Sequence, residues 1–105
     1  MNSDVDLTAG AGECLEKARS SAHGRNAHLV LHDGPLRQTL IALTADSELA
    51  EHEAPPAASL HVLTGSVVLD GTTHHSGALI PIPHHRHSLR AVEDSVVLLT
   101  TVTGI

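Results

Sequence analysis

Histidine is the residue type with chemistry to offer in this sequence. It fills ten of the 105 positions, and imidazole both ligates transition metals and exchanges protons near neutral pH. The densest run is His84-His85-Arg86-His87, directly after Pro83; His74 and His75 form a second pair, and His23, His28, His32, His52 and His61 stand singly. The rule that loops lie on the surface makes His84 and His85 a solvated rim, and His74 and His75 follow a hairpin turn and are expected to be exposed. Other nucleophiles and bases fare worse. Ser88 follows His87 directly, and Glu51 and Glu53 flank His52; neighbours on a strand face opposite sides, which spoils a nucleophile–base pair. The single Cys14 excludes an internal disulfide and a thiolate metal cluster. Arg37 and Arg90 lie in strand-like runs, where each either pairs with a carboxylate such as Glu93 or Asp94 or reaches a carboxylate ligand in a pocket.

Composition closes off several partners. Twelve acidic residues against six basic ones give a formal charge of −6, with no basic patch for a phosphate backbone. Phe, Tyr and Trp are absent altogether. Single-stranded nucleic acid therefore has no stacking platform, and sugar or flavin binding loses its usual support. The only glycine-rich segment, Ala9-Gly10-Ala11-Gly12, precedes no strand–helix unit, so no nucleotide cofactor is expected. There is no apolar run long enough to span a membrane. The opening MNSDVDLTAG lacks a basic region and an apolar core, so it does not read as a secretion signal and the expected location is cytoplasmic.

The elements that must position the histidines are short strands. Residues 1–25 are polar and glycine-bearing, and read as a loose arm in which Cys14 to Arg19 form a helical turn or two; residues 26–105 form the single domain. Strand-like runs follow at Ala27–His32, Leu36–Leu43, Leu49–His52, Leu60–Leu63, Ser66–Leu69, Ala78–Pro83, His87–Val92 and Ser95–Val102. Asp33-Gly34-Pro35, Asp70-Gly71 and Glu93-Asp94 punctuate them, Asp70-Gly71 being the strongest hairpin signal. The two prolines of Ala78–Pro83 mark an edge or bulged strand. Short strands at near-regular spacing with no long helix give an all-β sandwich or barrel. Several runs are apolar on both faces and need a second surface to cover them; a subunit partner would supply one, so a homodimer is expected.

On these residues the chain resembles the cupins, a family of small jelly-roll β-barrels. The stretches ALTADSELAEHEAPPAASLHVLTGSVVLDG and GALIPIPHHRHSLRAVEDSVVLLT, within Thr39–Val102, are similar to a subgroup of small bacterial single-domain members. The family's first motif has a glycine, a His-x-His pair, a glutamate and a closing glycine. Laid on this chain it puts Asp46 at the first glycine, His52 and Ala54 at the histidines, Ala58 at the glutamate and Gly65 at the end. The second motif places Gly77 and Pro83, then His87 if the turn is one residue short, with Ala91 at the family's asparagine. The resemblance implies a jelly-roll barrel whose metal, where there is one, is held by the motif histidines and the glutamate. Here two of those four positions are methyl groups.

What remains is a pocket centred on His52 and His87, with His61 as the third candidate ligand. Counting along a regular strand, residue 61 points away from residue 58, and only a bulge after Pro56 would turn it inward. A metal held by His52, His87 and His61 leaves zinc, nickel, iron, manganese and copper all open. Two functions of different class follow. One is a homodimeric binding module whose histidine-lined pocket takes a small ligand or a weakly held metal ion. The other is a metal-dependent enzyme, dioxygenase- or isomerase-like, with a reduced histidine-only centre. A metal buffer using all ten histidines would instead show several weak sites.

Overall fold

The computed structural model describes residues 4–52, 57–84 and 87–104, with the backbone alone for residues 50–52. A helix, α1 (Leu7–Arg19), precedes nine strands among these residues. They are β1 (Arg25–Asp33), β2 (Leu36–Leu43), β3 (Glu48–His52), β4 (Ala57–Thr64), β5 (Ser66–Leu69), β6 (Thr72–His75), β7 (Leu79–Pro81), β8 (His87–Ala91) and β9 (Ser95–Val102). All pair antiparallel, in a five-stranded sheet ordered β1-β2-β9-β4-β7 and a four-stranded sheet ordered β3-β8-β5-β6. The chain crosses from one sheet to the other between β2 and β3, β3 and β4, and β4 and β5, and again later, so the two sheets enclose one interior. Proline-bearing β7 sits at the edge of its sheet, where a missing N–H costs no ladder bond. Asp70 and Gly71 turn between β5 and β6 with φ of 49° and 84°, the two left-handed positions of a type I′ hairpin. That hairpin makes β6 a strand, where the residue pattern alone left Thr72–His75 outside the strand runs.

The central strands β2 and β9 pair in register over eight residues, from Leu36 with Val102 to Leu43 with Ser95. They bury both faces. Ile41, Leu43 and Val97 join Leu60, Val62, Val67, Leu69 and Leu89 in the interior between the sheets. Leu40, Ala42, Val96 and Leu98 face the other way, against Ala11, Cys14 and Ala18 of α1. The second surface that these two-faced strands require is thus supplied within the chain, by α1.

This helix is the main departure from expectation: the region that reads as a loose arm is thirteen helical residues packed on the sheet. Leu7, Ala11, Cys14, Leu15 and Ala18 recur at helical spacing and form its inner stripe. Asp6 caps the start, its carboxylate accepting from the Ala9 amide at 3.1 Å, and Lys17 and Arg19 favour the negative end of the helix. The stripe is made of small residues, so the helix lies close to the sheet. A Cβ on Gly10 would already be 3.0 Å from Leu40 Cδ1. That close approach offsets the roughly 1 kcal/mol a glycine costs in a helix. Cys14, far from mobile, is 2% exposed. Its thiol donates to the Asn26 carbonyl at 3.3 Å and accepts from Asn26 Nδ2 at 3.2 Å, the environment of an unreactive structural cysteine.

Two ties fix the turns at one end of the barrel. Arg19 donates through Nε and Nη2 to Asp94 Oδ2 at 3.1 and 3.0 Å, and Asp94 Oδ1 accepts from the Ala45 amide at 2.9 Å. The Ala45 bond first, and the Arg19 guanidinium second, hold the Asp94 carboxyl below its usual value of 3.8. A lowered folded value means that the stabilisation is complete above 3.8 and is lost as pH falls through the folded value. Asp94→Asn should therefore lower the melting temperature at neutral pH, and the gap to the parent protein should narrow by pH ~3.

Nearby, Gly65 turns from β4 to β5 at φ 87°. A Cβ there would lie 2.5 Å from the Asp94 carbonyl oxygen and 2.8 Å from Ser95 Cα. Gly34, at φ 57°, has nothing within 4 Å of that position. Gly65→Ala should cost roughly 2–4 kcal/mol in denaturant unfolding. Gly34→Ala, which meets only the left-handed penalty, should cost about 1 kcal/mol.

Candidate functional site

Between the sheets lies a cavity of about 40 Å³. Ile41, Leu60, Ile82 and Leu99 wall it from the five-stranded side, and Leu49, Leu69, Leu89 and His87 from the four-stranded side. With no aromatic residue in the chain, the wall is aliphatic by necessity. His87 is its one polar side chain among the described residues. The space exceeds the ~10–15 Å³ that a water needs, but a buried water also wants two to four polar partners. The wall is therefore better matched to an apolar group than to a cluster of waters.

Strand alternation decides which histidines reach this interior. In β8 the burial alternates strictly, with His87, Leu89 and Ala91 buried and Ser88 and Arg90 exposed. His87 is 5% exposed and points inward with Leu89, while Ser88 faces away from it. The β3–β8 register shifts between Leu49 and His52, and the shift sets the backbone of His52 directly across from that of His87. The sheet thus brings His52 and His87 together as cross-strand partners.

His61 is not brought to them. Its neighbours Leu60 and Val62 belong to the interior cluster, whereas Leu63, two residues on, packs on the α1 side. In the ladder His61 stands opposite Leu98, which also packs on that outer side, and opposite the exposed Leu79. The bulge that would have turned it inward is absent from 57–62; the irregularity in β4 falls between Val62 and Thr64, after His61. Ala58, at the position of the family's glutamate, packs against the interior cluster, so the inward place is occupied by a methyl group. Ala54, Glu53, His85 and Arg86 lie outside the described residues. Among the described residues no three of His, Cys, Asp or Glu converge as a metal site. The four-ligand arrangement that the resemblance implies is not what these residues offer. His84, His23, His28 and His32 are exposed, as is His75, while His74 is half-buried.

One polar cluster was not foreseen. On the outside of the four-stranded sheet, the Ser66 hydroxyl donates to Glu93 Oε2 at 3.0 Å and lies 2.9 Å from His75 Nδ1. Its single proton is committed to Glu93, so His75 must be the donor in the second contact. Ser95 Oγ accepts from the Ser66 amide at 3.0 Å and donates within reach of the Glu93 carbonyl at 2.7 Å. Ser66 is 5% exposed, and its proton points to the carboxylate rather than to a base. This is a latch between β6 and the β8–β9 turn and not a nucleophile. Its sequence signal, a serine and a glutamate 27 positions apart, carries no recognisable spacing.

Two antiparallel sheets facing one another around an apolar interior, with the chain crossing repeatedly between them, make a jelly-roll β-barrel. No family model matches the sequence, and no curated protein is recognisably similar to it. Solved structures do match. A conserved protein of unknown function from Streptococcus pyogenes aligns with the whole chain and 90% of its own, at 22% identity and a TM-score of 0.70. An RmlC-like cupin from Desulfovibrio desulfuricans is 28% identical over 74% of this chain and 81% of its own, with a TM-score of 0.63. A salicylate 1,2-dioxygenase from Pseudaminobacter salicylatoxidans is 18% identical over 90% of this chain but only 33% of its own, with a TM-score of 0.73. The chain is a small domain of the cupin fold.

The assignment of faces on β4 is open to direct test. Leu60→Ala removes a side chain that is 2% exposed and lines the cavity, and should cost about 2–5 kcal/mol. His61→Ala, one residue on and outside the interior, should cost less than about 1 kcal/mol in the same unfolding measurement.

Proposed function

We propose that this small cupin is a binding module and not an enzyme, and that it holds a compact, largely apolar molecule in the barrel, against a wall in which His87 is the one hydrogen-bonding side chain among the described residues. The observation that carries this reading is the wall of the cavity, seven aliphatic side chains and one buried imidazole. Binding pockets are mostly apolar with few convergent polar groups, and this wall has that composition in small form. The alternation that turns Ser88 away from His87 supports the same reading, since it leaves the imidazole no adjacent nucleophile on its strand. The fold alone favours neither class, because its neighbours include both a dioxygenase and a protein of unknown function.

The module acts as a homodimer in this proposal. Support comes from β1, a nine-residue edge strand whose Leu29 and Leu31 are 47% and 37% exposed. Exposed apolar edges of this kind are places where a second chain adds. Among the described residues no helix is long and apolar enough to cross a membrane.

A second reading has one specific observation in its favour. The cross-strand placement of His52 against His87 suits a two-histidine metal centre, with zinc, nickel, iron, manganese or copper as the ion and water or substrate completing the sphere. One experiment separates the two. Untagged protein purified without metal-affinity resin is analysed for metal, then titrated with small aliphatic alcohols and ketones while the Leu and Ile methyl signals are followed by NMR. The binding module predicts metal-free protein, shifts confined to the methyls that line the cavity, and loss of those shifts in His87→Phe. One equivalent of metal that disappears in His52→Ala and His87→Ala would establish the metal centre instead.

A further inference from the structure

The arginines divide unevenly. Arg19 is bound to Asp94, Arg25 donates from Nη1 to the Glu48 carbonyl at 3.1 Å, and Arg90 approaches Asp46 at 4.0 Å. Arg37 alone among the described arginines makes neither a hydrogen bond nor an ion pair with a described residue. In a chain of formal charge −6, an uncommitted guanidinium is the exception.

Its place in the ladder is specific. β2 runs without irregularity against β9, so Arg37 shares its face with Ile41 and Leu43, which lie in the interior, and not with Leu40 and Ala42, which meet α1. It stands opposite Thr101, which in turn stands opposite Ala58, and on its other side opposite His32. This row is the next one along the strands after Thr39, Leu99 and Leu60, two of which wall the cavity. At ~3.3 Å per residue the two rows are only ~7 Å apart, within reach of an extended arginine side chain. The row also abuts the cavity through Ile82, a wall residue whose amide donates to the Ala58 carbonyl at 3.0 Å. Arg37 therefore stands exposed at the rim of an apolar pocket, on the pocket's own face.

We propose that the ligand is a short aliphatic carboxylate: its tail occupies the cavity and its carboxylate is bound by Arg37 at the rim. The proposal rests on the cavity-binding reading above and specifies the ligand class for it. A guanidinium offers a carboxylate two parallel N–H donors, and charge-assisted pairs are about twice as strong as neutral ones. His32 and Thr101, flanking Arg37 in the row, add an N–H or O–H at the same rim. A free acid in water is otherwise repelled by the acidic surface of this protein, so one cation beside the pocket selects among equally apolar tails.

The test compares propanoate with propanamide, which has the same tail and no charge, by calorimetric titration of the full chain. Arg37 is exposed, so Arg37→Gln and Arg37→Lys leave the fold in place, which the melting temperature confirms. The expected result is a carboxylate that binds about tenfold or more tightly than the amide. That preference should vanish in Arg37→Gln and survive in part in Arg37→Lys. The Arg37 Nε–H resonance should move with the carboxylate and not with the amide. Equal affinities in the parent protein, or a preference that persists in Arg37→Gln, would overturn the role of Arg37 and leave the cavity reading standing. If neither compound binds, both readings fall together.

Discussion

The pairing of β2 with β9 is the constraint on which the rest of the structure depends. Leu40–Leu43 of β2 and Val96–Leu99 of β9 are apolar without a break and pair with one another, so each face must be covered. The interior face is covered by the four-stranded sheet, through Val67, Leu69, Leu89 and Ala91. The outer face is covered by α1, whose stripe of Ala11, Cys14 and Ala18 presses on Leu40, Ala42, Val96 and Leu98. Remove the helix and four buried aliphatic side chains meet water, at about 1.5–3 kcal/mol for each large one. The Arg19–Asp94 tie then has a clear purpose. It anchors the end of the helix to the turn that starts β9, so helix and strand are held in one register.

Why the interior wall is aliphatic apart from His87 follows from the same alternation. A jelly roll points every second residue of each strand inward, and a single irregularity reverses all that follow. The shift in β3 falls before His52 and sets it across from His87. The irregularity in β4 falls after His61 and leaves that residue outside. The placement of two one-residue bulges therefore decides which histidines stand across from one another in the sheets.

Much of this was legible in the sequence, and the reasons differ by element. β2, β5 and β9 coincide with their apolar runs because turn residues bound them on both sides. β7 was readable as an edge strand from its prolines, a backbone argument that needs no neighbour. α1 was not readable, because its buried stripe is alanine and cysteine at positions 11, 14 and 18. Small residues give a weak apolar signal, and the two glycines at 10 and 12 argue against a helix by propensity. Tertiary packing overrode that preference. The inward course of residue 58 and the outward course of residue 61 were both legible from parity, but the position of a bulge was not. The Ser66–Glu93 contact was invisible for a different reason, since it joins the start of β5 to the β8–β9 turn, which only the finished fold brings together.

The alanine at position 58 ties the cavity to the chemistry it can support. A carboxylate there would be half-buried against the interior cluster, and an ion drawn partly out of water favours a cation beside it. A methyl group makes no such demand. With it the cavity wall is aliphatic apart from His87. Charge is carried instead in the same row, by Arg37 two strands away, where solvent lowers the cost of keeping it unpaired. The inward methyl group at position 58 and the uncommitted guanidinium of Arg37 are two parts of one row. Together they suit a ligand that carries its own negative charge and brings it no deeper than the mouth of the barrel.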